Sequence, residues 1–152
     1  MKFIDVGRAA AIACVMLLAG CDSAEERAEK HFVRGAELMQ QGERSKARLE
    51  FRNALRLNAE HPGARFEMAK MSEDDGNLRN ALGGYRRVVE VDPQNADAQV
   101  RLARMLLLGG DLEGARRHAD AAAALTPEDV AALTTRAMVD LRLGDRDRAL
   151  AG

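Results

Sequence analysis

Residues 76–93 read GNLRNALGGYRRVVEVDP, and 34 positions later residues 110–127 read GDLEGARRHADAAAALTP. Both segments begin with glycine, carry alanine at the sixth place and end in proline. The same step leads outward to a glycine on each side, at Gly42 and Gly144. A fixed period of this length, marked by small side chains, predicts a stacked array of helix–turn–helix units.

The residues inside each unit favour helices by ordinary physical chemistry. Glycine tolerates the left-handed conformation in which many helices end, so each repeated glycine predicts the end of a helix. Asn77, Asp111 and Asp145 follow these glycines and are good N-caps for the next helix. Apolar residues then recur at helical spacing, as in Ala81, Leu82, Tyr85, Val88 and Val89. No segment alternates like a strand, and the sequence therefore predicts an all-α fold.

The period can be placed in register with a known repeat. Repeats that begin at residues 28, 62 and 96 are complete, and a fourth covers residues 130–152. Their eighth and twentieth positions are all small: Gly35, Ala69, Ala103 and Ala137, then Ala47, Ala81, Ala115 and Ala149. This pattern resembles the tetratricopeptide repeat, which requires small residues at both positions. The resemblance implies an α-solenoid of antiparallel helix pairs, with repeats at 28–61, 62–95, 96–129 and 130–152, or about three and a half repeats.

The large positions of that family are only partly matched. The fourth position, often Trp in the family, is His31, Arg65, Gln99 or Leu133, and the eleventh, often Tyr, is Leu38, Ser72, Leu106 or Asp140. Aromatic residues make up 3% of the chain, with no Trp. We therefore expect a core built mainly from Ala, Leu, Met and Val rather than from rings, with Phe51 and Tyr85 at packing positions.

The N-terminus carries a separate signal. Residues 1–21 read MKFIDVGRAAAIACVMLLAGC, in which a basic start precedes an apolar run that is too short to span a bilayer. This pattern predicts a cleaved signal peptide over residues 1–20. Residues 18–21, LAGC, resemble the bacterial lipobox, and the resemblance implies an acylated Cys21 followed by a short tether over residues 21–27. The alternative is an ordinary signal peptide with a coincidental cysteine.

A lipid anchor at Cys21 implies a location on the periplasmic side of a bacterial cell membrane, with the inner and outer membranes both left open. The other cysteine, Cys14, lies in the segment that would be removed, so the mature chain would contain no free thiol. The formal net charge of the chain is −1 at pH 7, and basic and acidic residues are interleaved. This composition argues against a nucleic-acid partner.

The sequence contains no catalytic constellation. His31, His61 and His118 lack the spacing of metal ligands, and surface or helix-turn positions are the better interpretation for them. The acidic run Glu73, Asp74 and Asp75 would point in different directions on a helix, so we interpret it as a solvated turn. We therefore predict no catalytic residue, no metal and no cofactor.

The resemblance implies a concave groove lined by the first helix of each repeat. The candidate groove residues combine apolar anchors with isolated charges, and they are Phe32, Met39, Phe66, Lys70, Val100, Arg104, Leu107 and Met138. Such a surface suits a peptide or helix from another protein, although some of the apolar side chains could instead pack between repeats. The Lys and Asn arrangement with which chaperone-binding members of the family hold a C-terminal carboxylate is missing.

These features predict a non-catalytic, membrane-anchored scaffold that binds envelope proteins in its groove. Similar proteins serve exopolysaccharide export, secretion, pilus assembly or outer-membrane assembly. The alternative is the N-terminal regulatory arm of a larger protein whose enzymatic domain lies beyond residue 152. Because the fourth repeat stops within a helix, we favour a fragment of a longer array, and we expect fraying after about Leu143.

Overall fold

The computed structural model describes residues 22–150, and every regular element in that range is a helix. The segment with the predicted signal peptide and Cys21 lies outside the described residues. The helices are α1 (Ala24–Gln40), α2 (Arg44–Leu57), α3 (Pro62–Asp74), α4 (Leu78–Val91), α5 (Ala96–Leu108), α6 (Leu112–Leu125), α7 (Val130–Leu143) and α8 (Arg146–Leu150). The predicted all-α fold is confirmed for this part of the chain.

The helix ends follow the sequence signals. Gly42, Gly76, Gly110 and Gly144 all have a positive φ, between 75° and 83°, where a side chain would be strained. Asn77 and Asp111 cap the helices that follow, as predicted, by accepting hydrogen bonds from the backbone N–H groups of Asn80 and Gly114. The helix of the fourth repeat begins at Val130, and the Asp129 side chain caps it by accepting a hydrogen bond from the backbone N–H of Ala132.

The helices pack as successive hairpins. Within the repeats α1 packs on α2, α3 on α4, α5 on α6 and α7 on α8, and each second helix also contacts the first helix of the next repeat. The first helices of the last two repeats, α5 and α7, contact each other directly. This arrangement stacks the repeats in one direction and places the first helices along one face.

The core combines small residues with two large rings. The twentieth-position residues Ala47, Ala81 and Ala115 are fully buried. Phe51 and Tyr85 are the largest fully buried side chains, and both lie at the packing positions that the sequence predicts for them. The small Gly35 makes room for one of them, since a Cβ atom there would lie 2.5 Å from Cε1 of Phe51.

Within residues 22–150 no helix has both the length and the apolar character needed to cross a bilayer.

Candidate interaction surface

Neighbouring repeats contact each other along the edge of the array that carries the loops between the first and second helices. We call this the loop edge. At the loop edge, positions 17 and 21 of one repeat face positions 13 and 14 of the next repeat. Between repeats one and two, the first junction, these positions hold two arginines on α2 and two aspartates at the end of α3. They are Arg44 and Arg48, and Asp74 and Asp75.

The first junction is closed by ion pairs. Nη1 of Arg44 donates a hydrogen bond of 2.9 Å to Asp74, and Nη2 of Arg44 lies 3.0 Å from Asp75. Nη2 of Arg48 donates to the second oxygen of Asp75 at 2.6 Å. These two guanidinium groups hold the pKa of Asp75 below its usual value. Asp74 and Asp75 therefore lie at an exposed turn, as expected, and they also form contacts between the two repeats.

The second junction, between repeats two and three, carries the opposite chemistry at the same positions. Leu78 and Leu82 replace the two arginines, while Leu108 and Gly109 replace the two aspartates. With Arg79 and Met105 these residues line an open cleft of about 320 Å³. Leu78 is 50% exposed and Leu108 is 75% exposed. This junction therefore leaves large apolar side chains in contact with solvent.

The third junction returns to ion pairing. Nη2 of Arg116, at position 21 of repeat three, lies 3.2 Å from Asp145, and Nη2 of Arg148 lies 2.7 Å from Asp120. Asp140 is fully buried between these two arginines, with its nearest guanidinium nitrogens 3.6 Å and 3.9 Å away. Of the three junctions, only the second has no ion pair at the loop edge within residues 22–150.

A second cleft opens on the face of the first helices. It has a volume of about 370 Å³ and lies between α5 and α7, where it is lined by Arg104, Leu107, Leu108, Met138 and Arg142. Three of the predicted groove residues, Arg104, Leu107 and Met138, meet in this one cleft. Leu108 lines this cleft and also the cleft at the second junction.

The predicted groove residues in the first repeat are packed rather than open. Phe32 and Met39 are half-buried against the cluster that contains Phe51. The ring of Phe32 lies 6.0 Å from the ring of Phe51 and 5.0 Å from that of His61. Their apolar surface is thus largely used to join the first two repeats.

In the second repeat the two predicted groove residues, Phe66 and Lys70, contact each other. The Phe66 ring lies 5.9 Å from that of Tyr85, and Nζ of Lys70 lies 5.5 Å from the centre of the Phe66 ring. Lys70 also donates to Glu67 at 3.0 Å. The cation at this place is therefore already compensated by the protein itself.

Val100 is also packed between repeats. It is 6% exposed and lies in a small cluster with Ala122 and Ala132. This side chain therefore offers little surface to a ligand in this conformation.

Two polar contacts fix the middle of the array. The Tyr85 hydroxyl donates to Glu73 at 2.6 Å, and burial together with that carboxylate raises the pKa of Tyr85. Arg101 donates to the same Glu73 at 2.7 Å. Since both donors are satisfied by one carboxylate, this cluster ties α3 to α4 and α5, and it has the character of a structural contact.

The histidines are more structural than the sequence suggests. His61 is buried, and its ring accepts a hydrogen bond from the N–H of Ala64 at the start of α3. His118 is half-buried, and its Nδ1 lies 2.7 Å from Oε1 of the buried Gln99. Burial and the nearby Arg117 and Arg86 lower the pKa of His118. Among residues 22–150 no three His, Cys, Asp or Glu side chains are placed to hold a metal ion.

Sequence reasoning missed the apolar cleft at the second junction. The sequence pattern placed Leu82 on the apolar face of its helix and predicted no cleft at this junction. A position-by-position comparison of the repeats would have found it, because apolar residues occupy all the positions that hold charges in the first junction.

The comparisons with known proteins agree with this architecture. Residues 73–130 match the family model of the tetratricopeptide repeat, so the resemblance is confirmed for that segment. The chain is 33% identical over 88 residues to a probable biofilm formation methyltransferase, WspC, of Pseudomonas putida. It is 29% identical over 102 residues to cellulose synthase operon protein C of Pseudomonas fluorescens. These matches cover 58% and 67% of the chain but only 21% and 8% of the two relatives.

Solved structures show the fold across the whole described range. A crystal structure of MamA superposes with a TM-score of 0.70 at 16% identity, covering 99% of this chain and 91% of that one. The first tetratricopeptide domain of Spaghetti (RPAP3), solved with an HSP90 peptide, gives a TM-score of 0.70 at 15% identity, covering 82% of this chain and 99% of that one. The fold is therefore a tetratricopeptide-type α-solenoid, an architecture that presents an extended binding surface.

Proposed function

We propose that this protein is a non-catalytic adaptor that binds a segment of a partner protein in the cleft between α5 and α7. The observation that carries the proposal is the open cleft in which exposed Arg104 and Met138 flank Leu107. Solenoid folds use such concave surfaces for binding, and mixed apolar and charged grooves suit peptides and helices.

We further propose that the adaptor works at the periplasmic side of a bacterial membrane, held by a lipid on Cys21. The sequence order of basic start, apolar run and LAGC over residues 1–21 supports this location. The match to a cellulose synthase operon protein supports an envelope complex as the setting, with exopolysaccharide export ahead of secretion or pilus assembly.

The binding proposal is tested by photo-crosslinking in whole cells. A photoreactive amino acid replaces Arg104 or Leu108 in the cleft, and Arg52 or Leu49 on the exposed face of α2 as matched controls. We expect one protein to be captured repeatedly from the two cleft positions and not from the control positions. Equal capture from all four positions would contradict binding in this cleft.

The anchor is tested separately by labelling cells with a clickable fatty acid. We expect the label on the wild-type chain and its loss in Cys21→Ala, whereas Cys14→Ala, if processed normally, retains it. A wild-type chain that carries no label would refute the lipid anchor and leave the adaptor proposal to the crosslinking experiment.

A second candidate function is favoured by the match to WspC, which is described as a methyltransferase. In this alternative the solenoid is the regulatory arm of a larger protein with an enzymatic domain. Sequencing the gene beyond the codon for Gly152 tests it. Continuation into a domain without the repeat period would support the regulatory arm, and further repeats would count against it.

A further inference from the structure

The cleft between α5 and α7 and the cleft at the second junction meet at one side chain, Leu108, which lines both. We call the combined area the Leu108 surface. Its apolar part consists of Leu78, Leu82, Met105, Leu107, Leu108 and Met138, and its polar rim consists of Arg79, Arg104 and Arg142.

The Leu108 surface exposes more apolar side chain than packing of the repeats requires. Leu108 is 75% exposed, Leu78 is 50% exposed and Met138 is 38% exposed. The equivalent position to Leu108 in repeat two is Asp74, which pairs with Arg44. Because a charged residue at this position can join two repeats, packing of the repeats does not require a leucine there. Exposed apolar patches commonly mark binding sites.

The rim of the Leu108 surface is positively charged without compensation. The residues lining the two clefts include no carboxylate. Within residues 22–150 the guanidinium groups of Arg79, Arg104 and Arg142 form no ion pair, in contrast to Lys70, Arg44 and Arg101 in the first half of the array and at its middle. Three exposed arginines around an apolar floor favour an anionic ligand.

We propose that the Leu108 surface binds an acidic segment of a partner protein, in which bulky apolar side chains enter both clefts and carboxylates pair with Arg79, Arg104 and Arg142. This inference rests on the proposed adaptor function and specifies its ligand. Arginine pairs with carboxylates through charge-assisted and often bidentate hydrogen bonds. The apolar side chains supply the buried contacts at the centre, and the arginines set the charge of the partner.

The division of the Leu108 surface into two clefts also constrains the ligand. One cleft lies on the face of the first helices, and the other lies at the loop edge. A ligand that fills both must therefore cross Leu108, with at least two large apolar side chains separated by the residues that cross it. A single apolar side chain would fill only one cleft.

The test is a selection from a displayed library of random peptides against the full-length chain in detergent micelles. We expect the enriched peptides to contain an excess of Asp and Glu and at least two large apolar residues. Arg104→Glu and Leu108→Ser should each weaken the binding of these peptides by about tenfold or more, as expected for central interface residues. The matched variants Arg52→Glu and Leu49→Ser on α2 should bind as wild type does.

A charge exchange gives an independent test of the acidic ligand. The double variant Arg104→Glu with Arg142→Glu, selected against the same library, should enrich Lys-rich and Arg-rich peptides that retain the apolar residues. Circular dichroism checks that this variant remains helical. Continued enrichment of acidic peptides by the double variant would overturn the proposed pairing.

The remaining outcomes separate this inference from the adaptor function. If enriched peptides are neutral or basic but still depend on Leu108, the acidic ligand is wrong and the adaptor function stands. If enriched peptides bind all cleft variants equally, both proposals fail. If no peptide is enriched, or if sedimentation shows that the Leu108 surface binds a second copy of this chain, the acidic partner is overturned.

Discussion

The first and second junctions are formed by the same positions of the repeat pattern, but they have opposite chemistry. Arg44, Arg48, Asp74 and Asp75 close the first junction with ion pairs, whereas leucines and a glycine leave the second junction open. The buried alanines beneath them are the same in both repeats. The repeat register therefore fixes the inner packing and leaves the loop edge free to differ, so one junction serves stability and the other can serve binding.

We expect the largest change in the free energy of unfolding from Phe51→Ala, which alters the first half of the molecule and leaves the second half intact. Phe51 is fully buried between the first two repeats. Loss of such a ring typically costs about 3–5 kcal/mol. Denaturant unfolding followed by circular dichroism measures the change, and hydrogen exchange locates it in α1 to α3. If Leu108→Ala destabilises the protein as much, the open junction is part of the core and the contrast between the halves is lost.

The second prediction concerns a variant that carries charged residues of the first junction at the second junction. Leu78→Arg together with Leu108→Asp places the equivalents of Arg44 and Asp74 at the open junction. We expect the denaturation midpoint to rise at low salt and the increase to shrink near about 1 M salt, because exposed ion pairs are screened. The acidic peptides selected on the wild type should no longer bind. Retained binding would show that the apolar cleft is not used.

The third prediction concerns His118 in the third repeat. Because burial lowers the pKa of His118 below 6.5, the folded protein binds fewer protons than the unfolded chain. The free energy of unfolding should therefore fall as the pH decreases from about 6.5 through the folded pKa. Urea titrations across this range measure the slope, and His118→Gln should remove that contribution while keeping a polar partner for Gln99. An unchanged slope in the variant would assign the titration to another group.

The fourth prediction concerns Asp75, whose pKa is lowered by Arg48 and Arg44. Its contribution to stability should be present above pH 3.8 and should be lost as the pH falls through the lower folded value. The first junction should thus weaken only in strong acid, below the range in which His118 acts. Hydrogen exchange in α2 and α3 measures this, with Asp75→Asn as the variant expected to lack the effect.

The smallest stability change is expected for Leu108→Ser. The Leu108 side chain is 75% exposed and therefore contributes little to the core. Substitutions at such surface positions usually change stability by about 0.5 kcal/mol or less. The denaturation midpoint of this variant should match that of Leu49→Ser. A large loss of stability would mean that the second junction closes in solution.

Much of the fold followed from the sequence. The repeat period and the repeated glycines predicted the all-α fold and the places where helices end, because both signals are local. The two ring positions were also assigned to packing from the repeat register.

The candidate site was only partly predictable. Arg104, Leu107 and Met138 were identified from the register and do share one cleft. The register alone could not show that Phe32 and Val100 are used for packing between repeats, because neighbouring side chains decide that. The pairing of Lys70 with Glu67 and of Arg101 with Glu73 likewise depends on three-dimensional distances.

Methyl-detected NMR tests most directly whether the Leu108 surface is the docking site. The full-length chain, labelled at Leu and Met methyl groups, is titrated with an acidic peptide from the selection. We predict that the largest shift changes occur at Leu78, Leu108 and Met138, with Leu49 unchanged as the internal control. Changes confined to Met39 and Met68 in the first half of the array, with Leu108 unaffected, would contradict the account.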